Sequence, residues 1–173
     1  MFKTIKTVSF IIAILLAVTT ISCLTDEGEP QIQRTAEMEA NELSQSLNNL
    51  ETGGYDIDTT ELGIYYIVQA VGEGPLPQPG DTCYLEYTGY LMDGTIFDAS
   101  QNYYADAIWD LIYKDIQLIP GFDDGIALMN KGSEIDMFIP SNLGYGEYGK
   151  GPIGPYTTLV FSAKMHDIKP KTE

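Results

Sequence analysis

Apolar and polar positions alternate along much of this chain, and the alternation predicts strands. Ile64-Tyr65-Tyr66-Ile67-Val68, after Gly63, is dense in β-branched and aromatic residues. From Thr82 to Tyr90, Cys83, Leu85 and Tyr87 fall on one face, and Tyr84, Glu86 and Thr88 on the other. Ser133 to Ile139 places Ile135, Met137 and Ile139 together, and Thr157 to Ile168 does the same for Leu159, Phe161, Ala163 and Met165. The stretch Tyr87-Thr88-Gly89-Tyr90-Leu91-Met92-Asp93-Gly94-Thr95-Ile96-Phe97-Asp98 reads as a strand, a turn at Asp93-Gly94, and a resumed strand ending in an aromatic and an acid.

Two segments carry a helical period instead. From Thr35 to Leu50, Met38, Leu43, Leu47 and Leu50 share a broad apolar face, with Gly53-Gly54 as the stop. The sequence leaves three uses open for this helix: packing on the domain, pairing with a second copy, or spacing. Phe122 to Met129 suits one short helix with acids in its first turn. Several strands around one short helix predict an antiparallel-leaning α+β domain.

Composition narrows the function classes. The chain has 173 residues with 9 basic against 25 acidic, a net charge of −16. Nucleic-acid binding needs clustered Lys and Arg to displace counterions; the basic residues here are few and scattered, so no nucleic-acid partner is expected. Two cysteines and one histidine make no zinc site.

The N-terminus reads as a targeting segment. Lys3 and Lys6 precede an apolar run from Val8 to Val18 that is too short for a typical membrane span. Thr20-Ile21-Ser22-Cys23 resembles a bacterial lipobox, which implies a lipoprotein signal peptide over residues 1–22 and lipid attachment at Cys23; an ordinary secretory signal followed by an incidental Cys is the alternative. Cys83 is then alone, so stability rests on the core rather than on a disulfide. Residues 23–33 read as an acidic tether, similar to the export signals of surface lipoproteins in the Bacteroidetes or a plain spacer. Residues 34–62 form the helix and a linker, and 63–173 the domain.

In order along the chain, Gly80-Asp81, Tyr87-Thr88-Gly89, Asp93-Gly94, Phe97-Asp98, Pro120-Gly121-Phe122, Gly125, Gly132, Ile139-Pro140, Tyr145-Gly146 and Leu159-Val160-Phe161 follow one pattern. From Gly63 to Lys169 the chain resembles the FKBP-type peptidyl-prolyl cis-trans isomerases. The resemblance implies a bent antiparallel sheet wrapped around a short helix, preceded here by the N-terminal helix, with an apolar pocket between sheet and short helix and no cofactor. It implies pocket roles for Tyr87, Asp98 and Tyr145 as catalytic groups, and for Phe97, Trp109, Leu118, Ile119, Phe122, Ile153 and Phe161 as substrate-binding ones. The amide of Ile119 and the hydroxyl of Tyr145 are the expected donors. Phe122 stands where the family usually has Trp, and Trp109 where Phe is usual. Near Tyr103 the family often has a basic partner for the pocket acid; here Tyr103 or Tyr104 is expected to supply a hydroxyl. The loop 147–155 is about one residue short and has Gly154 where Pro is usual.

The expected function is isomerisation of proline-containing exported polypeptides at the bacterial envelope, with a lipid anchor holding the protein at the outer membrane. A non-catalytic peptide-binding or chaperone module is the alternative. A structural role, docked through or self-associating by the 35–50 helix, is a third.

Overall fold

The computed structural model describes residues 33–172. The expected signal peptide, Cys23 and the expected tether up to Ile32 lie outside the described residues.

Helix α1 (Ala36–Thr52) opens the described chain. Its first turn is capped by the Thr35 hydroxyl, which accepts from Met38 N–H, and it stops at Gly53. Seven strands follow: β1 (Asp58–Thr59), β2 (Tyr65–Ala70), β3 (Thr82–Leu91), β4 (Ile96–Ala99), β5 (Trp109–Ile112), β6 (Glu134–Ile139) and β7 (Leu159–Lys169). Helix α2 (Pro120–Ile126) lies between β5 and β6. The strands form one antiparallel sheet in the order β1-β2-β6-β7-β3-β4, with β5 also on β3. The fold is α+β, as the periodicity predicts.

The alternating positions build the inner face. Cys83, Leu85, Tyr87, Ile135, Met137, Ile139, Leu159, Phe161, Ala163 and Met165 are all buried in one cluster with Phe122 and Ile126 of α2. Helix α2 sits close on β6 because Gly125 has no side chain: a Cβ there would lie 1.9 Å from Met137 Sδ.

Part of the outer face is covered as well, by α1. Leu43 packs with Ile67 of β2 and Phe138 of β6, and Leu47, Leu50, Tyr65 and Val160 close around them. The molecule is therefore layered as helix, sheet, helix. Of the three uses open to α1, the structure shows packing on its own domain, and the apolar face that would pair with a second copy is covered by the sheet. Met38 is not in this cluster; the buried residue at that end of α1 is Glu39.

Two strands escape the sequence pattern. Strand β1 has two residues, and β5 only four, with Asp110 at its centre. Both depend on a longer neighbour for their pairing. Strands β4 and β5 divide one edge of β3: β5 pairs with Thr82–Leu85 and β4 with Thr88–Tyr90. The backbone of Tyr87 falls in the gap between them. The buried Ser100 fills it, its Oγ accepting from Tyr87 N–H at 3.1 Å and donating to Tyr87 C=O at 3.3 Å.

Leu43 is 6% exposed and joins α1 to two strands. Leu43→Ala is expected to lower unfolding free energy by about 2–4 kcal/mol. Urea denaturation followed by circular dichroism checks this; an unchanged midpoint would mean that α1 does not stabilise the sheet.

Candidate active site

Between α2 and the concave face of the sheet lies a cavity of about 410 Å³. It is lined by Tyr87, Phe97, Asp98, Trp109, Gln117, Leu118, Ile119, Phe122, Tyr145, Lys150 and Phe161.

The register of the sheet builds the walls. Strand β3 points Tyr87 inward. Strand β7, paired so that Gly89 faces Phe161, brings that ring beside it. Strand β4 returns Phe97 and Asp98 to the same rim, with Gly89 opposite Asp98. Phe161 contacts Phe122 at 4.6 Å between ring centroids and meets Phe97 edge-on at 5.4 Å. Tyr87 meets Phe122 at 5.6 Å and Trp109 at 5.8 Å, both edge-to-face. Edge-to-face rings favour one another through their quadrupoles and hold a fixed cavity shape. Gly89 makes this possible: a Cβ there would fall 2.6 Å from the Phe97 ring and 3.0 Å from that of Phe161.

The polar side chains of this lining are those of Tyr87, Asp98, Gln117, Tyr145 and Lys150. The Tyr87 hydroxyl donates to Asp98 Oδ2 at 3.0 Å, and the Ala99 amide donates to Oδ1 at 2.9 Å. Burial pushes the Tyr87 hydroxyl far above the ordinary tyrosine range, and the Asp98 carboxylate pushes it further. Tyr87 therefore stays a donor and orients the acid. Tyr103, mostly exposed, faces the same carboxylate: hydrogen bonding to Asp98, then its charge, raises the Tyr103 hydroxyl. Its alignment is looser than that of Tyr87, which alone makes a well-directed side-chain hydrogen bond to Asp98 among the described residues. Tyr103 is thus the hydroxyl that stands near the acid where a basic residue is absent.

Tyr145 enters from the loop after β6. Burial first, then the Asp98 charge, raises its pKa, so it too remains a donor. Among the described residues nothing accepts the Ile119 amide hydrogen, at the N-cap of α2 on the cavity wall. An unpaired amide beside an apolar cavity is a ready partner for a ligand carbonyl.

The structure brings together all of the sequence-derived pocket residues but one. Ile153 is buried in the hydrophobic core and is not on the cavity wall. The loop that carries it turns back through paired bonds between Lys150 and Ile153, which directs Ile153 inward and Lys150 to the rim. Lys150 is a lining residue that sequence reasoning passed over. Its ammonium stands 5.3 Å from the Tyr145 ring centroid, a cation–π contact. The available signal was a lone cation in a Gly- and Pro-rich loop of an acidic chain. Ser100 was missed because a serine after a strand carries no distinguishing pattern.

Residues 74–166 match the family described as FKBP-type peptidyl-prolyl cis-trans isomerase. The chain is 41% identical over 113 residues to a probable FKBP-type peptidyl-prolyl cis-trans isomerase FkpA of Neisseria meningitidis, covering 65% of this chain and 40% of that protein. It is 37% identical over 108 residues to the outer membrane protein MIP of Legionella longbeachae, covering 62% of this chain and 45% of that protein. The match thus spans less than half the length of either relative. The crystal structure of FkpA from Escherichia coli superposes with a TM-score of 0.63 at 30% identity, over 79% of this chain and 63% of that one. A peptidyl-prolyl cis-trans isomerase from Pseudomonas syringae gives 0.64 at 25% identity, over 79% and 98%. An aromatic-walled cavity under a short helix, the ordered motifs around it and these matches agree: the chain belongs to the FKBP-type peptidyl-prolyl cis-trans isomerase family.

Proposed function

We propose that this protein catalyses cis-trans isomerisation of Xaa-Pro bonds in exported polypeptides. The observation that carries the reading is the aromatic-walled cavity, with Asp98, Tyr145 and the free Ile119 amide placed among the rings.

The uncatalysed barrier is about 18–20 kcal/mol because rotation breaks amide resonance. No bond to carbon is made or cut, so neither nucleophile nor proton relay is required. The rings of Phe122, Phe161 and Trp109 hold the proline ring while the preceding carbonyl turns. Transfer from water into this lining disfavours the polar planar amide relative to the twisted state, in which the nitrogen loses its partial charge. The Ile119 amide and the Tyr145 hydroxyl bind carbonyls of the peptide on either side. Only contacts that strengthen in the twisted state raise turnover, and each 1.36 kcal/mol gained there gives about tenfold in rate. Asp98, fixed by Tyr87, places negative charge where the carbonyl carbon is exposed.

We also propose that Cys23 carries the lipid that tethers the domain to the bacterial outer membrane. The basic start, apolar run and Ser22-Cys23 support this reading. So does a relative described as an outer membrane protein.

Three results test these readings. In a protease-coupled assay on a Xaa-Pro peptide, wild type is expected to accelerate isomerisation, and Asp98→Ala and Tyr145→Phe to lower kcat/KM by about tenfold, or about 1.4 kcal/mol each. Equal inactivity of all three with peptide still bound would leave a binding module instead. Gly89→Ala is expected to displace Phe97 and cost about tenfold or more in kcat/KM; wild-type kinetics would mean that the Phe97–Phe161 contact does not shape the site. Palmitate labelling is expected on wild type and lost in Cys23→Ser; equal label on both would remove the anchor.

A further inference from the structure

Helix α1 does more than cover the outer face of the sheet. Its Glu39 is only 6% exposed, and its carboxylate accepts three hydrogen bonds. Oε1 accepts from the Ser141 N–H at 2.7 Å and from Thr158 Oγ1 at 2.8 Å, and Oε2 accepts from Ser141 Oγ at 2.5 Å. A buried carboxylate is costly unless donors surround it, and charge-assisted bonds are the strong ones. The three donors therefore hold Glu39, and Glu39 holds them.

The donors have a particular placement. Ser141 is the second residue of the connection from β6 to β7 and Thr158 the last, so one carboxylate clamps both stems of the loop that carries Tyr145 and Lys150. Arg34, just before α1, adds a bond from Nη2 to the Tyr156 carbonyl at 3.1 Å. Within the loop the Gly146 N–H donates to Ser141 C=O at 2.8 Å, and the Tyr156 N–H donates to Gly146 C=O at 2.9 Å. Tyr145 is flanked by Gly144 and Gly146, which add no side-chain packing of their own. Its ring packs on the core and under Lys150, and its backbone is held by the clamped stems, by these bonds between them and by the Gly149 N–H, which donates to its carbonyl at 3.1 Å.

We propose that Glu39 is a positioning residue for Tyr145, which makes α1 part of the active-site scaffold. The proposal rests on the isomerase reading for its kinetic consequence, but the clamp itself can be read without turnover.

The test is a double-mutant cycle on the full chain, with kcat/KM and amide hydrogen exchange measured for each protein. Glu39→Ala is expected to lower kcat/KM by about 5–20-fold when Tyr145 is present and by less than about twofold in a Tyr145→Phe background, because coupled residues are not additive. Glu39→Gln keeps an acceptor for Ser141 N–H and Thr158, can donate to Ser141 Oγ, and is expected to stay within about threefold of wild type. Exchange at Gly146 and Tyr156 is expected to quicken in Glu39→Ala while the β3–β7 amides keep their protection. Equal losses in both backgrounds, or a folded Glu39→Ala with wild-type kinetics and exchange, would overturn the proposal. If Glu39→Ala does not fold, Thr158→Val removes one of the three bonds and carries the same cycle to the same decision. If wild type shows no turnover, the isomerase reading fails by itself, and unchanged loop exchange in the variants would overturn the clamp separately.

Discussion

The pairing of β3 with β7, from Thr82 opposite Lys169 to Leu91 opposite Leu159, is the constraint on which the structure depends. It fixes which side chains meet. Tyr87 and Gly89 from one strand and Phe161 from the other share the inner face only in this register, and a slip of one residue would put Phe161 on the opposite face from Tyr87 and Gly89. Strand β6 pairs with the far side of β7, placing Met137 opposite Phe161 and bringing α2 onto the same face through Gly125. The cavity is thus a consequence of register, with rings from five elements, β3, β4, β5, β7 and α2, packed around it.

The polar part of the site is built differently. Asp98 and Tyr145 come from a strand end and a loop, where backbone pairing is sparse. Their placement relies on side-chain bonds: Tyr87 to Asp98, Ser100 to the backbone of Tyr87, and Glu39 to the stems of the Tyr145 loop. The sheet supplies the apolar walls, and this small polar set tunes what the walls can do. In an acidic chain of net charge −16, Lys150 gives the cavity rim a local cation beside Tyr145.

Much of this was legible in the sequence, for physical reasons. Strands buried on one face write a period of two, and β3, β6 and β7 follow it through Tyr87, Met137 and Phe161. The pocket aromatics and Asp98 lie on or next to such strands, so motif order located them. Strand β5 was not legible because four residues around Asp110 carry too little pattern. The outer layer was not legible either. Phe138 lies on the face that alternation assigns to solvent, and only α1, far away in sequence, covers it. Glu39 reads as a polar residue near a helix start, since nothing local reveals donors at Ser141 and Thr158. Ile153, an apolar loop residue in a motif-rich region, turns into the core because the backbone bonds at Lys150 reverse the chain there.

A proline ring seated in this cavity would lie against the chain's single tryptophan, which stands in its wall. Titrating the protein with a short Xaa-Pro peptide while following Trp109 emission reads this occupancy. A saturable change is expected that disappears when the proline of the peptide is replaced by alanine. An equal change with both peptides, or none with either, would contradict it.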